Sequence, residues 1–143
     1  YAKFTYTNTF GEWSGKAAGG SSGKECLQIN VKDNSAFGSF VQIPAVDGTI
    51  EKIEVTIREP YKGRAIGIFP VGYTYTKDTL DKMKEQLAKD AIAISNETPS
   101  DVNNNEPFTF VIDNLSAKNL TQFSIFPTLG AVSITAITVT YSK

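Results

Sequence analysis

The residue types able to do chemistry are few, and the missing ones narrow the choice first. The chain has no histidine, which removes the Ser-His-Asp triad, the usual zinc ligands and the commonest general base together. Cys26 is the one cysteine, so there is no internal disulfide and no multi-cysteine metal site, and with no histidine to activate it the thiol reads as structural. The carboxylates Glu12, Glu25, Asp47, Glu51, Glu54 and Glu59 stand in polar surroundings. None has the apolar setting that raises one carboxyl of a pair and makes it a general acid, so a glycosidase-type pair is not expected. Asp101, Asn103, Asn104, Asn105 and Glu106 offer oxygens but lack EF-hand spacing, and read as a solvated loop. What remains is aromatic. Trp13, Tyr61, Tyr73 and Tyr75 lie in or beside predicted loops, with Arg64 in the run YKGRA as a planar hydrogen-bond donor near Tyr61. Tyr73 and Tyr75, two apart in VGYTYTK, point the same way from an extended segment. Flat rings and a guanidinium suit recognition more than catalysis. The blander alternatives are a tryptophan that plugs one end of the fold, tyrosines that pack on the following helix, and a solvated arginine.

The elements that must position these residues are mostly strands. YAKFTYT alternates Ala2, Phe4 and Tyr6 against polar residues, and ECLQINVK does the same with Leu27, Ile29 and Val31. Residues 9–24, rich in glycine and holding Trp13, are predicted as a long polar loop without phosphate-loop spacing. SFVQIP gives a third strand. TIEKIEVTIREP gives the clearest interior one, with Ile53, Val55 and Ile57 on one face. In RAIGIFPVGY, Gly67 and Pro70 predict a bulge or an edge position. The pattern then changes to helical spacing, with Leu80, Met83, Leu87 and Ala91 predicting one amphipathic helix near residues 77–91, capped by Thr76 or Asp78. AIAIS, FTFVID and FSIF supply further short strands around an Asn-rich loop. The last strand carries a phase flip: Val132, Ile134 and Ala136 alternate with Ser133 and Thr135, then Ile137, Val139 and Tyr141 alternate with Thr138, Thr140 and Ser142. One extra residue near Ala136 restores the register, the signature of a β-bulge. About nine short strands and one helix predict an all-β fold, a two-sheet antiparallel sandwich with a single inserted helix.

Length and charge agree with a single domain spanning residues 1–143. Fourteen basic and 15 acidic residues give a net charge of −1, too little field to attract nucleic acid. No apolar run has the length of a membrane span, so membrane insertion is not expected.

The order of elements resembles the galactose-binding-like β-jelly rolls of secreted bacterial carbohydrate-binding modules. The resemblance rests on the opening GEWSGKAAGGSSGKECLQI, the central pair FVQIP and IEKIEVTIRE, and the closing AVSITAITVTYS. It implies a jelly-roll sandwich and a non-catalytic module that binds a polysaccharide or surface glycan. The ligand-binding residues would be Trp13, Tyr61, Arg64, Tyr73 and Tyr75, because rings stack on the apolar faces of pyranoses while planar polar groups bond hydroxyls. Many such modules hold a structural calcium near the first and last strands. Here the final strand offers Thr138, Thr140 and Ser142 and no carboxylate, so no cofactor is expected. The setting it implies is extracellular or at the bacterial surface, after removal of a targeting segment, with the domain a monomer attached to a larger protein. The alternative is a structural or adhesive surface or fibre domain that binds protein or acts as a spacer.

Overall fold

The computed structural model describes residues 2–19, 26–31 and 38–143. Ten strands and one α-helix lie among them: β1 (Ala2–Asn8), β2 (Gly11–Gly19), β3 (Leu27–Ile29), β4 (Phe40–Gln42), β5 (Thr49–Arg58), β6 (Ile66–Phe69), α1 (Leu80–Asp90), β7 (Ala93–Ile94), β8 (Phe108–Ile112), β9 (Ser124–Pro127) and β10 (Val132–Ser142). The strands form one antiparallel sheet in the order β7-β6-β9-β4-β2-β3-β10-β5-β8, with β1 off this path and paired with β2. The fold is mostly β and the sheet is nearly barrel-shaped.

The strand on which this shape turns is β2, where a loop was predicted; residues 20–24 of that predicted loop lie outside the described residues. Through Ser14, Gly15 and Lys16 it pairs with β4, and through Ala18 and Gly19 it passes to β3, so it carries one half of the sheet into the other. The small residues that argued for a loop are what this position needs. Gly15 and Ala17 face inward and are buried, and a Cβ at Gly15 would run into the Phe40 carbonyl and the Phe4 ring. Glycine in a strand marks such close backbone approach. Gly15→Val is therefore expected to destabilise the fold by about 1–3 kcal/mol, read as a lower denaturant midpoint. A neutral result would show that β2 and β4 can separate without cost.

The longest ladder, β10 on β5, contains the expected bulge. Ile134 pairs with Ile57 and Ala136 with Thr56, which leaves Thr135 as the extra residue; its hydroxyl donates to the Thr56 carbonyl at 3.3 Å. A second shift between Thr140 and Tyr141 leaves Glu51 unmatched on β5. That shift explains why the buried positions of β5 run Ile50, Ile53, Val55, Ile57. These side chains meet Val41, Phe110, Phe123 and Ile125 in the main core.

A second apolar cluster lies apart from the main core and carries the helix. Phe126 stacks on Phe40 at 5.1 Å and meets the edges of Phe69 and Tyr73 at 5.0 and 5.4 Å, while Leu87 and Met83 supply the helix side. The helix begins later than its apolar spacing predicted. Thr79, not Thr76 or Asp78, is the N-cap, its hydroxyl accepting the Lys82 N–H at 3.4 Å. The cause is Gln86, whose Oε1 takes the N–H groups of Thr76 and Lys77 at 3.1 and 3.2 Å and so engages that segment from outside the helix. β6 is likewise neither bulged nor an edge. It lies buried between β7 and β9, with Gly67 leaving room for Phe69, Thr128 and Ala91, and the strand ends at Phe69, just before Pro70.

Candidate functional site

Beyond its bulge, β10 runs along the margin of the core, with Ile137 and Val139 partly buried against it. The phase flip turns Ile137, Val139 and Tyr141 to the inner side, but among the described residues β3 pairs with β10 only as far as Ile134, and these three side chains stay half-buried or exposed. They form one wall of a trough. The facing wall is the tip of the β1–β2 hairpin, where Asn8 and Gly11 close a two-residue loop of Thr9 and Phe10. The Asn8 side chain organises that tip: its Oδ1 accepts the Phe10 N–H at 2.9 Å and the Trp13 indole N–H at 3.1 Å. The hydrogen bond orients the indole, and Trp13 packs against the main core while still lining the trough. The floor is the 43–47 connection, fixed by the Val46 N–H to the Thr121 carbonyl at 2.8 Å and by the Gln122 amide to the Ile43 carbonyl at 2.9 Å.

The hollow so enclosed measures about 500 Å³. A neighbouring hollow of about 470 Å³ shares Phe10, Trp13 and Ile137 with it and runs on past Leu27 and Thr135. Together they follow β10 from Ile134 to Tyr141, with Trp13 at the join. The rings available are Phe10, 76% exposed, Trp13 and Tyr141, with Tyr6 paired across the hairpin from Trp13. Polar groups on the rim are the Thr9 and Thr138 hydroxyls and the Asp47 carboxylate. Asp47 lies 3.9 Å from Lys143, but both are so exposed that the pair leaves the carboxylate open to a ligand.

Of the five residues singled out from sequence, only Trp13 stands in this trough, and it stands there from a strand. Tyr75 is 3% exposed and its hydroxyl donates to the Val31 carbonyl at 3.1 Å, so its ring serves packing. Tyr73 stacks on Phe69 at 4.6 Å and donates to Asp90 Oδ2 at 2.8 Å; its outer side borders a separate hollow of about 480 Å³ with Lys16, Phe40 and Gln42. Tyr61 is exposed elsewhere, with the Arg64 guanidinium 5.9 Å from its ring. Arg64 also donates through Nε to the Ala131 carbonyl at 3.0 Å and packs against Gly130, which ties down the turn before β10. The five therefore do not converge on one cleft. Sequence reasoning passed over Phe10, and it read Ile137, Val139 and Tyr141 only as the alternating residues beyond the phase flip, without placing them at a site.

Asn105 is engaged within its own loop, donating its N–H to Asn103 Oδ1, while the Asn104 side-chain amide reaches out of the loop to donate to the Pro60 carbonyl. Among the described residues no group of three or more histidine, cysteine or acidic side chains is placed to hold a metal ion.

Burial, and then the hydrogen bond and charge of Asp90, push the Tyr73 hydroxyl well above the ordinary tyrosine range. The folded state thus holds this proton more tightly than the unfolded chain, whose tyrosines titrate near pH 10. The stabilisation is complete below about pH 10 and is lost as pH climbs beyond it. Melting temperature is expected to fall above that pH in the wild type and to fall less steeply in Tyr73→Phe. Equal slopes would remove Tyr73 as the cause.

No protein family, curated protein or solved structure matches the chain. No described helix is long and apolar enough to cross a membrane.

Proposed function

We propose that this domain is a non-catalytic glycan-binding module and that the trough along β10 is its binding site. The observation that carries this reading is Trp13: its ring is tethered through Asn8, half-buried at the base of an open groove, and flanked by Phe10 and Tyr141 with hydroxyl and carboxylate groups on the rim. Aromatic faces bordered by a few convergent polar groups suit the alternating apolar faces and hydroxyl edges of a saccharide. The groove is elongated rather than pit-like, which favours a chain of sugars over a single one. On this reading the nearly closed sheet is a variant of the jelly-roll sandwich, and the domain works outside the cell or on a bacterial surface as part of a larger protein.

Affinity electrophoresis across plant and microbial polysaccharides tests the proposal. Retarded migration on one polysaccharide, relieved by free oligosaccharide, supports it; uniform migration across a broad panel rejects it. A second reading, a domain that binds protein, is favoured by one observation. Among the described residues β10 pairs only with β5 beyond Ile134, so its other edge offers backbone groups to an extended peptide. Retention by peptide but not by polysaccharide would select that reading.

A further inference from the structure

The hydrogen-bonding groups of the trough are of two kinds. The hydroxyls of Thr9, Thr138 and Tyr141 line its larger hollow, and each can both donate and accept. Asn8 lines the neighbouring hollow; its Oδ1 is taken by the Phe10 and Trp13 N–H groups, so its NH2 is the end that faces outward to donate. These four groups are neutral. The fifth is Asp47, whose carboxylate is an acceptor only. Among the described residues that line the two hollows, Asp47 carries the one formal charge, and no lysine or arginine stands with it. Lys143 lies 3.9 Å from Asp47 but outside the lining, and Glu12, exposed beside Trp13 on β2, adds a second negative charge to the hairpin tip.

On the glycan reading of the trough, on which this step rests, we infer that the trough takes a polysaccharide without acid groups and turns away uronates, sulfates and phosphates, with Asp47 as the residue that discriminates. A neutral sugar brings hydroxyls, which donate to the Asp47 carboxylate and accept from the Asn8 amide. Hydrogen bonds with one ionised partner are the stronger kind. An acid group entering the same hollow gives up water, finds only neutral donors, and stands against Asp47. Two like charges about 4 Å apart in water change affinity by roughly fivefold, of which Lys143 offsets a part. Selectivity built in this way uses a repulsive element beside the attractive ones. The rings of Phe10, Trp13 and Tyr141 give the contact that both kinds of chain share, so the aromatic residues set affinity and Asp47 sets the choice.

Titration calorimetry with polymers of matched backbone tests the assignment on the intact chain. The pairs are hydroxyethylcellulose with carboxymethylcellulose, methyl-esterified pectin with polygalacturonate, and dextran with dextran sulfate. In at least one pair the neutral member is expected to bind about threefold tighter or more at low salt. Raising salt from about 10 to about 100 mM shortens the screening length from about 30 to about 10 Å, so it should strengthen binding of the acidic member; a site holding basic residues would respond with the opposite sign. Asp47→Lys is expected to reverse the preference, moving the ratio of the two dissociation constants by about tenfold or more. Its melting temperature should match that of the wild type, since the Asp47 side chain is 95% exposed. An acidic polymer bound as tightly as its neutral partner, or bound more weakly as salt rises, overturns the inference, and so does a preference that survives Asp47→Lys. If such binding is lost in Trp13→Ala, the trough reading stands without it. Binding to no polymer of any pair overturns both.

Discussion

Phe126→Ala is expected to lower stability by about 3–5 kcal/mol, with a fall in melting temperature on the order of 10 °C. Phe126 is fully buried, and its ring meets four others: Phe40 face to face at 5.1 Å, and the edges of Phe69, Tyr73 and Tyr75 at 5.0, 5.4 and 6.2 Å. Truncation would forfeit the transfer free energy of the ring and leave a cavity that cannot collapse easily. β9, which carries Phe126, is held on one side by β4 and on the other by β6. Leu87 packs in the same cluster, so the helix is expected to fray with it, and far-ultraviolet dichroism should lose helical signal before the β signal. A loss below about 1.5 kcal/mol would mean that the site repacks, and that the helix is held by something other than this cluster.

Trp13→Ala is expected to weaken polysaccharide binding by roughly 30-fold or more, the loss of about 2 kcal/mol that marks a central aromatic anchor. The expectation follows from position. Trp13 is one of the three side chains, with Phe10 and Ile137, that the two hollows share, and its indole is held in place by Asn8. Tyr61→Ala should leave binding intact, since Tyr61 is exposed outside the trough. Truncating Tyr75 should cost stability, because its ring is buried in the helix-bearing cluster. Binding that survives Trp13→Ala but is lost in a folded Tyr73→Ala variant would move the site to the hollow beside Lys16 and Gln42.

Much of the fold was legible in the sequence because burial and the period of two coincide in its longer strands. β5 and β8 declare themselves by alternation, and the phase flip near Ala136 marks in the sequence the bulge that lies at Thr135. β2 was not legible, for a physical reason. Strand propensity measures how well a side chain fits a half-open pleated surface, whereas β2 passes so close to its neighbours that glycine and alanine are what fit. In GEWSGKAAG the alternation of Trp13, Gly15 and Ala17 against Glu12, Ser14 and Lys16 was present, but it was written in small residues. The helix start was displaced by Gln86, a contact ten residues distant that no local capping rule includes. The site was legible only through its tryptophan. Tyr73 and Tyr75 do share a side of their segment, but that side is occupied by Phe69 and Phe126. Arg64 and Tyr61 are adjacent, but the guanidinium is engaged with Ala131. Aromatic residue type alone does not distinguish a ring offered to a ligand from one offered to a helix.

Trp13 is the sole tryptophan, so tryptophan emission comes from one side chain, and that side chain lines the trough. Titrating the protein with whichever polysaccharide retards it, while recording tryptophan emission, tests most directly the claim that the trough is the binding site. Saturable quenching or a blue shift, with a midpoint matching the affinity from electrophoresis, is the predicted result. Retardation by a polysaccharide that leaves the emission of Trp13 unmoved would contradict it.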